Sequence, residues 1–269
     1  MPAGGHQSGT RFDFPPMNRV FRALRIVLAG VSYSCLLIFS TPFAAAPGPA
    51  PTPQLTGFPF TNETLHYTVN WPTGVSLGEA RMTASRSKGS NGKGDEWAFG
   101  LALDASVPGF SVADRYSATA SPDLCSMTFD KEFAHGSKKS HERISFDQHT
   151  GTAHRETVGA GKSDVDISGC TRDALTFLYF ARRELGQGHV PPHETILFGA
   201  PYQVHLEYTG PQWVGAGDKR SEADRVIATL KGSASEISFE MLFARDPART
   251  PLLIRVPLSL GMFSMELAR

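Results

Sequence analysis

Apolar and polar residues alternate with a period of two through most of the chain after about residue 60. The segments TLHYTVNW, EWAFGLALDA, YQVHLEYT and EISFEMLF each place apolar side chains on one face and polar side chains on the other. This pattern is typical of antiparallel strands that are covered on one side only. Turn clusters such as KGSNGKGDE, DQHTG and GAGDK separate the segments. The pattern predicts about 11–12 strands.

One segment, GCTRDALTFLYFARRELGQG, follows the helical period instead. Its apolar stripe consists of Ala174, Phe177, Leu178, Ala181 and Leu185. Thr171 is the predicted N-cap, and Asp173 places a negative charge in the first turn. Arg182 and Arg183 place positive charges in the last turn, and Gly186 is a natural stop. We therefore predict one central helix over about 171–185.

Half-exposed strands in this number need a shared apolar interior, and a flat sheet of that size is disfavoured. The predicted fold is therefore mainly β: a curled antiparallel sheet or partly open barrel. The apolar stripe of the helix then fills the open side of the sheet and belongs to the core. We assign residues 55–269 to a single β-rich domain, because about 215 residues can share one core.

The N-terminal residues have the order of a secretory signal, with a cationic start, an apolar run and then three alanines. We expect residues 1–46 to form this leader and PGPAPTPQ, at 47–54, to be a Pro-rich linker. An uncleaved anchor is the alternative, because the apolar run approaches spanning length. The start is either Met1 or Met17. The predicted location is the periplasm or envelope of a bacterium, with no integral membrane segment if the leader is cleaved.

The whole chain carries 26 basic and 26 acidic residues. The predicted leader contains four arginines and one aspartate, which leaves 22 basic and 25 acidic residues, a net charge of −3, in the remainder. A remainder with this balance has no broad basic field to attract nucleic acid or an anionic membrane surface. We therefore expect no nucleic-acid partner.

Two cysteines, Cys125 and Cys170, follow the leader. An even number of cysteines in an exported protein predicts a disulfide, which would join the entrance of the helix to the strand that carries Cys125. Two buried free thiols are the alternative. Neither cysteine has a second cysteine or a histidine at the spacing of a zinc ligand, so we predict no metal site there.

Other residues with possible chemistry favour structural roles. His135, His141, His149 and His154 fall in a predicted hairpin, without the spacing of a metal site. We expect a solvated polar face there, with His149 in the turn. The segment VGAGKSDV lacks the first glycine of a phosphate-binding loop. We therefore predict no catalytic, metal or cofactor residues.

A structural ion pair between Asp173 and Arg225 is a further hypothesis. Asp173 adjoins the apolar stripe of the helix, and Arg225 precedes Val226 in a predicted strand. Buried charges normally need a partner, and these two would satisfy each other.

The chain resembles the domain-of-unknown-function family 3108 over residues 58–269. The resemblance is carried by FPFTNETLHYTVNWPTGVSLGEARM, CTRDALTFLYFARRELGQG, EADRV and ARDPARTPLLIRVPLSLGMFSMEL. It implies an exported bacterial β-rich domain without an assigned activity, and it assigns no functional residues. A curled sheet closed by a helix is also similar to periplasmic lipoprotein carriers, an analogy of fold alone.

Three function classes remain. We favour a non-catalytic protein that binds or carries an apolar ligand or an envelope component in the mouth of the sheet. The alternatives are a structural or assembly factor of the envelope and a hydrolase that acts on envelope material. A carrier requires an apolar cavity that side chains leave unfilled, and an assembly factor requires an exposed apolar patch. A hydrolase requires a polar cleft with a nucleophile or acid beside a base.

Overall fold

The computed structural model describes residues 62–88, 95–107, 109–215, 220–258 and 261–268. The predicted leader at 1–46 and the linker at 47–54 lie outside the described residues.

The described residues form fifteen strands and one helix. In chain order they are β1 (Glu63–Asn70), β2 (Ser76–Lys88), β3 (Asp95–Val107), β4 (Phe110–Ala120), β5 (Ser126–His135), β6 (Lys138–Asp147), β7 (Thr152–Thr157), β8 (Gly161–Asp166), β9 (Arg172–Asp173), α1 (Ala174–Gly186), β10 (Glu194–Leu197), β11 (Pro201–Val214), β12 (Ser221–Lys231), β13 (Glu236–Ala244), β14 (Pro251–Leu258) and β15 (Gly261–Leu267).

All fifteen strands belong to one sheet with the order β8-β7-β6-β5-β4-β3-β2-β1-β15-β14-β13-β12-β11-β10-β9. Neighbouring strands are antiparallel, except that β9 pairs with β10 in parallel. The first strand pairs with the last through β1 and β15. The free edges of the sheet are therefore β8 and β9, which follow each other in the chain. The ladder does not close into a barrel at this point.

The prediction of a mainly β fold with one helix is confirmed, but the predicted number of strands is too low. Strand β9 has two residues and β10 has four. Strands this short do not establish a period of two. Strand β8, GKSDVD, is almost entirely exposed and therefore lacks the apolar face by which the longer strands are recognised.

Hydrogen bonds and a disulfide join the edge strand β9 and the residues before it to β5 and to the turn between β6 and β7. The backbone N–H of Ser126 donates to the carbonyl of Thr171 at 3.2 Å. The Gln148 side chain donates to the carbonyls of Ser126 and Thr171 at 2.7 and 2.8 Å, and it accepts from the Thr171 N–H at 3.0 Å. Beside these bonds, Cys125 and Cys170 form the predicted disulfide. It joins the turn before β5 to the residues that lead into β9.

Helix α1 begins later than predicted, because Asp173 and not Thr171 is its N-cap. The Asp173 carboxylate accepts from the backbone N–H groups of Leu175 and Thr176 at 2.8 and 2.9 Å. It also accepts from the hydroxyls of Thr176 at 2.6 Å and Ser126 at 2.5 Å. Complete burial, with hydrogen bonds opposing it, raises the pKa of Asp173.

In the described part of the chain, the helix lacks the length and apolar character of a membrane span.

The predicted ion pair between Asp173 and Arg225 is wrong. The four donors around Asp173 are hydroxyls and backbone amides, so its carboxylate is stabilised without a cation. Arg225 lies on β12 and its guanidinium pairs with Glu240 of the adjacent β13. The Arg225 and Arg255 guanidiniums outweigh the effect of partial burial and lower the pKa of Glu240. Different partners therefore satisfy the two residues.

The helix packs inside the sheet through its buried face. The ring of Tyr179 stacks on Phe99 of β3, with centroids 4.1 Å apart. Arg182 is fully buried and makes a two-pronged ion pair with Glu63 of β1, with nitrogen–oxygen distances of 2.7 and 2.8 Å. Its Nε also donates to the carbonyls of Ala248 and Arg249. The helix thus joins strands from both halves of the sheet.

Candidate functional site

A cavity of about 430 Å³ lies on the concave face of the sheet, and the helix contributes nothing to its lining. Its lining comes from β1 to β5 with their turns and from β14 and β15. Most of the lining side chains are apolar: Val69, Trp71, Leu77, Leu103, Ala105, Val107, Phe110, Val112, Ile254, Val256, Leu258, Phe263 and Met265. We call this space the apolar mouth.

The alternation in β3 explains how the apolar mouth arises. Trp97 and Phe99 occupy the inner face at the beginning of this strand and are buried in the core. Leu103, Ala105 and Val107 continue the same face, because side chains repeat with a period of two. They line the cavity. The apolar face of β3 is therefore buried in the core at the beginning of the strand and lines the cavity farther along it.

The apolar mouth is open to solvent at the hairpin ends. Phe110, at the start of β4, and Leu258, at the end of β14, line the cavity and are about half exposed. At the side of the cavity, Trp71 packs edge-to-face on Phe263 with a centroid distance of 4.9 Å. A molecule with an apolar chain can therefore enter between the hairpin ends and lie against aromatic and aliphatic side chains.

The polar residues of this mostly apolar wall are Ser106, Asp114, His135 and Ser264, and two of them form a pair. Nε2 of His135 is 2.7 Å from Oδ1 of Asp114, and the hydroxyl of Tyr116 donates to Oδ2 of Asp114 at 3.3 Å. Burial, and then the neighbouring Asp114 carboxylate, raise the pKa of Tyr116 above its ordinary value. Tyr116 therefore stays neutral and acts as a hydrogen-bond donor. The Asp114–His135 pair provides a place for the polar group of an amphiphilic ligand.

A second, polar cleft of about 640 Å³ lies beside the disulfide. In it, Arg172 donates to Glu194 at 2.7 Å, and the rings of His193 and His205 have centroids 4.0 Å apart. Burial raises the pKa of Glu194, with Arg172 opposing the effect. Among the described residues of this cleft, no hydroxyl hydrogen-bonds to an imidazole or carboxylate.

The histidine-rich segment has the predicted polar face except at His135, which lines the apolar mouth. Arg143 and Ser145 are exposed, whereas Ile144 and Phe146 are buried. His149 lies in the turn between β6 and β7. His154 pairs with Asp164 at 2.8 Å.

One histidine of this face belongs to a cluster whose residue types also suit a metal ion: Asp130, Glu132 and His141. Nε2 of His141 lies 2.9 Å from Asp130 and 3.5 Å from Glu132. Nε of Arg143 donates to Asp130 at 2.9 Å. The Arg143 guanidinium already pairs with the Asp130 carboxylate. An ion-pair network on the outer face of the sheet therefore explains the cluster.

Sequence reasoning missed the roles of Arg182 and Glu63. The sequence predicts that Arg182 is a partner of the helix dipole in the last turn, yet it lies on the buried face. It follows Leu178 of the apolar stripe by four residues, a spacing that places both on one side of a helix. That spacing is a signal of burial. The partner Glu63 is 119 residues away in the chain, and no local pattern identifies it.

Two comparisons bear on the fold and family. Brucella abortus has a protein whose solved structure is described as a beta-barrel-like protein of domain of unknown function DUF1849. The present chain is similar to it with a TM-score of 0.53 and 8% identity, over 78% of this chain and 97% of that chain. This likeness concerns the fold alone. A comparison with curated proteins gave no match. The model of the family "Protein of unknown function (DUF3108)" matches residues 66–268, so the chain belongs to the DUF3108 family.

Proposed function

We propose that this protein is a non-catalytic carrier that holds the apolar part of an amphiphilic molecule in the apolar mouth. The single observation that supports the proposal is an apolar cavity of about 430 Å³ that the core leaves unfilled. Small-molecule sites commonly have volumes of about 300–1,000 Å³, apolar walls and a few well-placed polar groups. The apolar mouth has this composition, with Asp114 and His135 as the polar group.

The part of the sheet against which α1 packs differs from the apolar mouth, and this contrast strengthens the proposal. Side chains fill that part of the interior, where Phe99, Tyr179 and Ala181 are buried. A protein that needed only a stable core would gain from burying the lining of the apolar mouth in the same way. An unfilled apolar cavity has no such structural benefit, and ligand binding accounts for it.

The test is the binding of an apolar fluorescent probe, N-phenyl-1-naphthylamine, followed by competition with single-chain fatty acids. Ala105→Phe places a ring in the apolar mouth, and we expect it to lower probe affinity at least tenfold. Ala102→Phe is the matched control on the outer face of the same strand, and we expect no change. Equal binding by the wild-type protein and Ala105→Phe would contradict the proposal.

We further propose that the carrier works in an oxidising compartment outside the cytoplasm, as the leader-like residues 1–46 predict. The Cys125–Cys170 disulfide supports this location, because disulfides persist mainly in such compartments. Fractionation of cells that produce the tagged protein tests it directly. Native mass spectrometry of the exported fraction would then identify the lipid that copurifies. Recovery of the protein in the cytoplasmic fraction would contradict the location.

A further inference from the structure

The hairpin ends around the apolar mouth carry exposed apolar side chains. Val75 is 61% exposed, Phe110 48%, Leu258 52% and Met262 47%. Val75 lies in the turn between β1 and β2, and Phe110 begins β4. Leu258 is the last residue of β14, and Met262 is the second residue of β15. We call these four residues the apolar rim.

The apolar rim is continuous with the cavity. Phe110 and Leu258 belong to both, since each lines the apolar mouth while remaining about half exposed. Val75 is joined to the cavity wall through its carbonyl, which accepts from the N–H of Trp71 at 2.8 Å. Met262 immediately precedes Phe263, which lines the cavity. An apolar molecule that leaves the cavity therefore passes directly between the rim side chains.

Two lysines stand beside the rim. Lys138 and Lys139 begin β6, directly after the turn that contains Gly136, and both are exposed. This turn is held against the rim: the N–H of Gly136 donates to the carbonyl of Ser111, and a Cβ atom at Gly136 would lie 3.1 Å from the ring of Phe110. Among the described residues, neither lysine pairs with a carboxylate. Their charges are therefore available to an external anion.

We propose that the apolar rim docks on a lipid bilayer with anionic headgroups, so that the apolar mouth opens onto the membrane surface. Apolar side chains that enter the boundary between headgroups and acyl chains, next to lysines, are the usual elements of interfacial membrane binding. The net charge of −3 outside residues 1–46 excludes a broad basic field. Two lysines act only locally, within a screening length of about 10 Å at 0.1 M salt.

The test is flotation of the purified protein with vesicles of phosphatidylethanolamine and phosphatidylglycerol, and with vesicles of phosphatidylcholine alone. We expect binding to both, tighter to the anionic vesicles. Leu258→Ser combined with Met262→Ser should lower the partition coefficient at least tenfold on both kinds of vesicle. Lys138→Gln and Lys139→Gln should each lower it about fivefold, on anionic vesicles only and at low salt.

Trp213→Ser is the matched control, because Trp213 is 66% exposed and lies outside the apolar mouth. We expect it to change vesicle binding less than twofold. All variants share residues 1–46, so any contribution of that segment cancels in the comparison. Two outcomes would overturn the proposal: equal losses in Trp213→Ser and the rim variant, or a wild-type dimer that the rim variant converts to a monomer without altering vesicle binding.

The Ala105→Phe variant separates this inference from the proposed function. It blocks the cavity and leaves the four rim residues in place. We expect it to float with vesicles as the wild-type protein does, although it no longer takes up the probe. If the wild-type protein floats but binds no probe, the carrier proposal fails and the docking surface stands. If Ala105→Phe no longer floats with vesicles, vesicle binding depends on the cavity and the docking proposal fails.

Discussion

The two ends of the concave face use the same kind of strand for opposite purposes. At the helix end, the inner side chains of β3 and β1 meet α1, and residues such as Tyr179 and Arg182 are completely buried. At the other end, the same strands continue with apolar side chains that line an open cavity of about 430 Å³. One end is a filled core, and the other is an open cavity.

This difference shows that an apolar strand face is not by itself evidence of a filled interior. The helix has 13 residues, which at about 1.5 Å per residue gives it a length of about 20 Å. Strand β3 also has 13 residues, and at about 3.3 Å per residue it extends for about 43 Å. A helix of this length cannot cover the whole inner face of such a strand. The uncovered part becomes the apolar mouth.

Replacing Arg182 should have the largest effect, because it removes the charged link at the filled end. Arg182→Ala leaves the Glu63 carboxylate largely buried without its cation, and we expect a loss of about 5 kcal/mol in the free energy of unfolding. Urea denaturation measures it. Replacing the pair together, as Glu63→Leu with Arg182→Met, should restore most of the loss. A loss below about 1 kcal/mol for Arg182→Ala would show that the pair is not needed.

Removing the disulfide should cost slightly less. The bond joins residues 45 positions apart, and in the chain-entropy model a loop of this length stabilises the protein by about 4 kcal/mol. Cys125→Ser combined with Cys170→Ser should lower the free energy of unfolding by this amount, measured without reductant. Probe binding per folded molecule should not change, because neither cysteine lines the apolar mouth. A loss of probe affinity would show that the disulfide affects the structure of the apolar mouth.

Asp173→Ala should cost about 3 kcal/mol, because it removes the N-cap and leaves buried donors without an acceptor. Asp173→Asn is the control. It keeps one carbonyl oxygen for the N–H groups of Leu175 and Thr176, and we expect a cost of about 1 kcal/mol. Thermal unfolding followed by circular dichroism measures both. Equal costs would show that the bonds to the N–H groups of Leu175 and Thr176 contribute little.

The smallest effects are expected for two matched substitutions, one at each end of the inner face of the sheet. Ala181 is buried in the helix, so Ala181→Leu should cost about 2 kcal/mol through overpacking. Ala105 lines the apolar mouth, and Ala105→Leu should change stability by less than about 1 kcal/mol, because the cavity has room for the added carbons. Parallel urea denaturation curves give the comparison. Similar costs for the two substitutions would contradict the description of one end as filled and the other as open.

Much of the fold follows from patterns within single segments. The period of two in TLHYTVNW and EWAFGLALDA predicts strands with one apolar face, and the helical period predicts α1 to within three residues at its start. The two cysteines after the leader predict the disulfide. The N-cap was misassigned because Thr171 and Asp173 are both good capping residues. The hydroxyls of Ser126 and Thr176, which select Asp173, become its neighbours only in the folded protein.

The candidate site could be predicted only in part. The sequence supplied the apolar residues of the mouth, such as Val69, Trp71 and Leu103, and the fold that a carrier needs. It could not show where the helix ends along the sheet, and therefore which apolar residues are covered. Nor could it pair Asp114 with His135, which the antiparallel register of β4 and β5 brings together.

By itself, the amino-acid sequence determined the mainly β character, the single helix and the apolar face of each long strand, because these depend on residues only a few positions apart. The tertiary structure decided the partners of Asp173, Arg182 and Arg225 and the division of the interior into a core and a cavity. These depend on distances between strands that are far apart in the chain. Local periodicity carries no information about them.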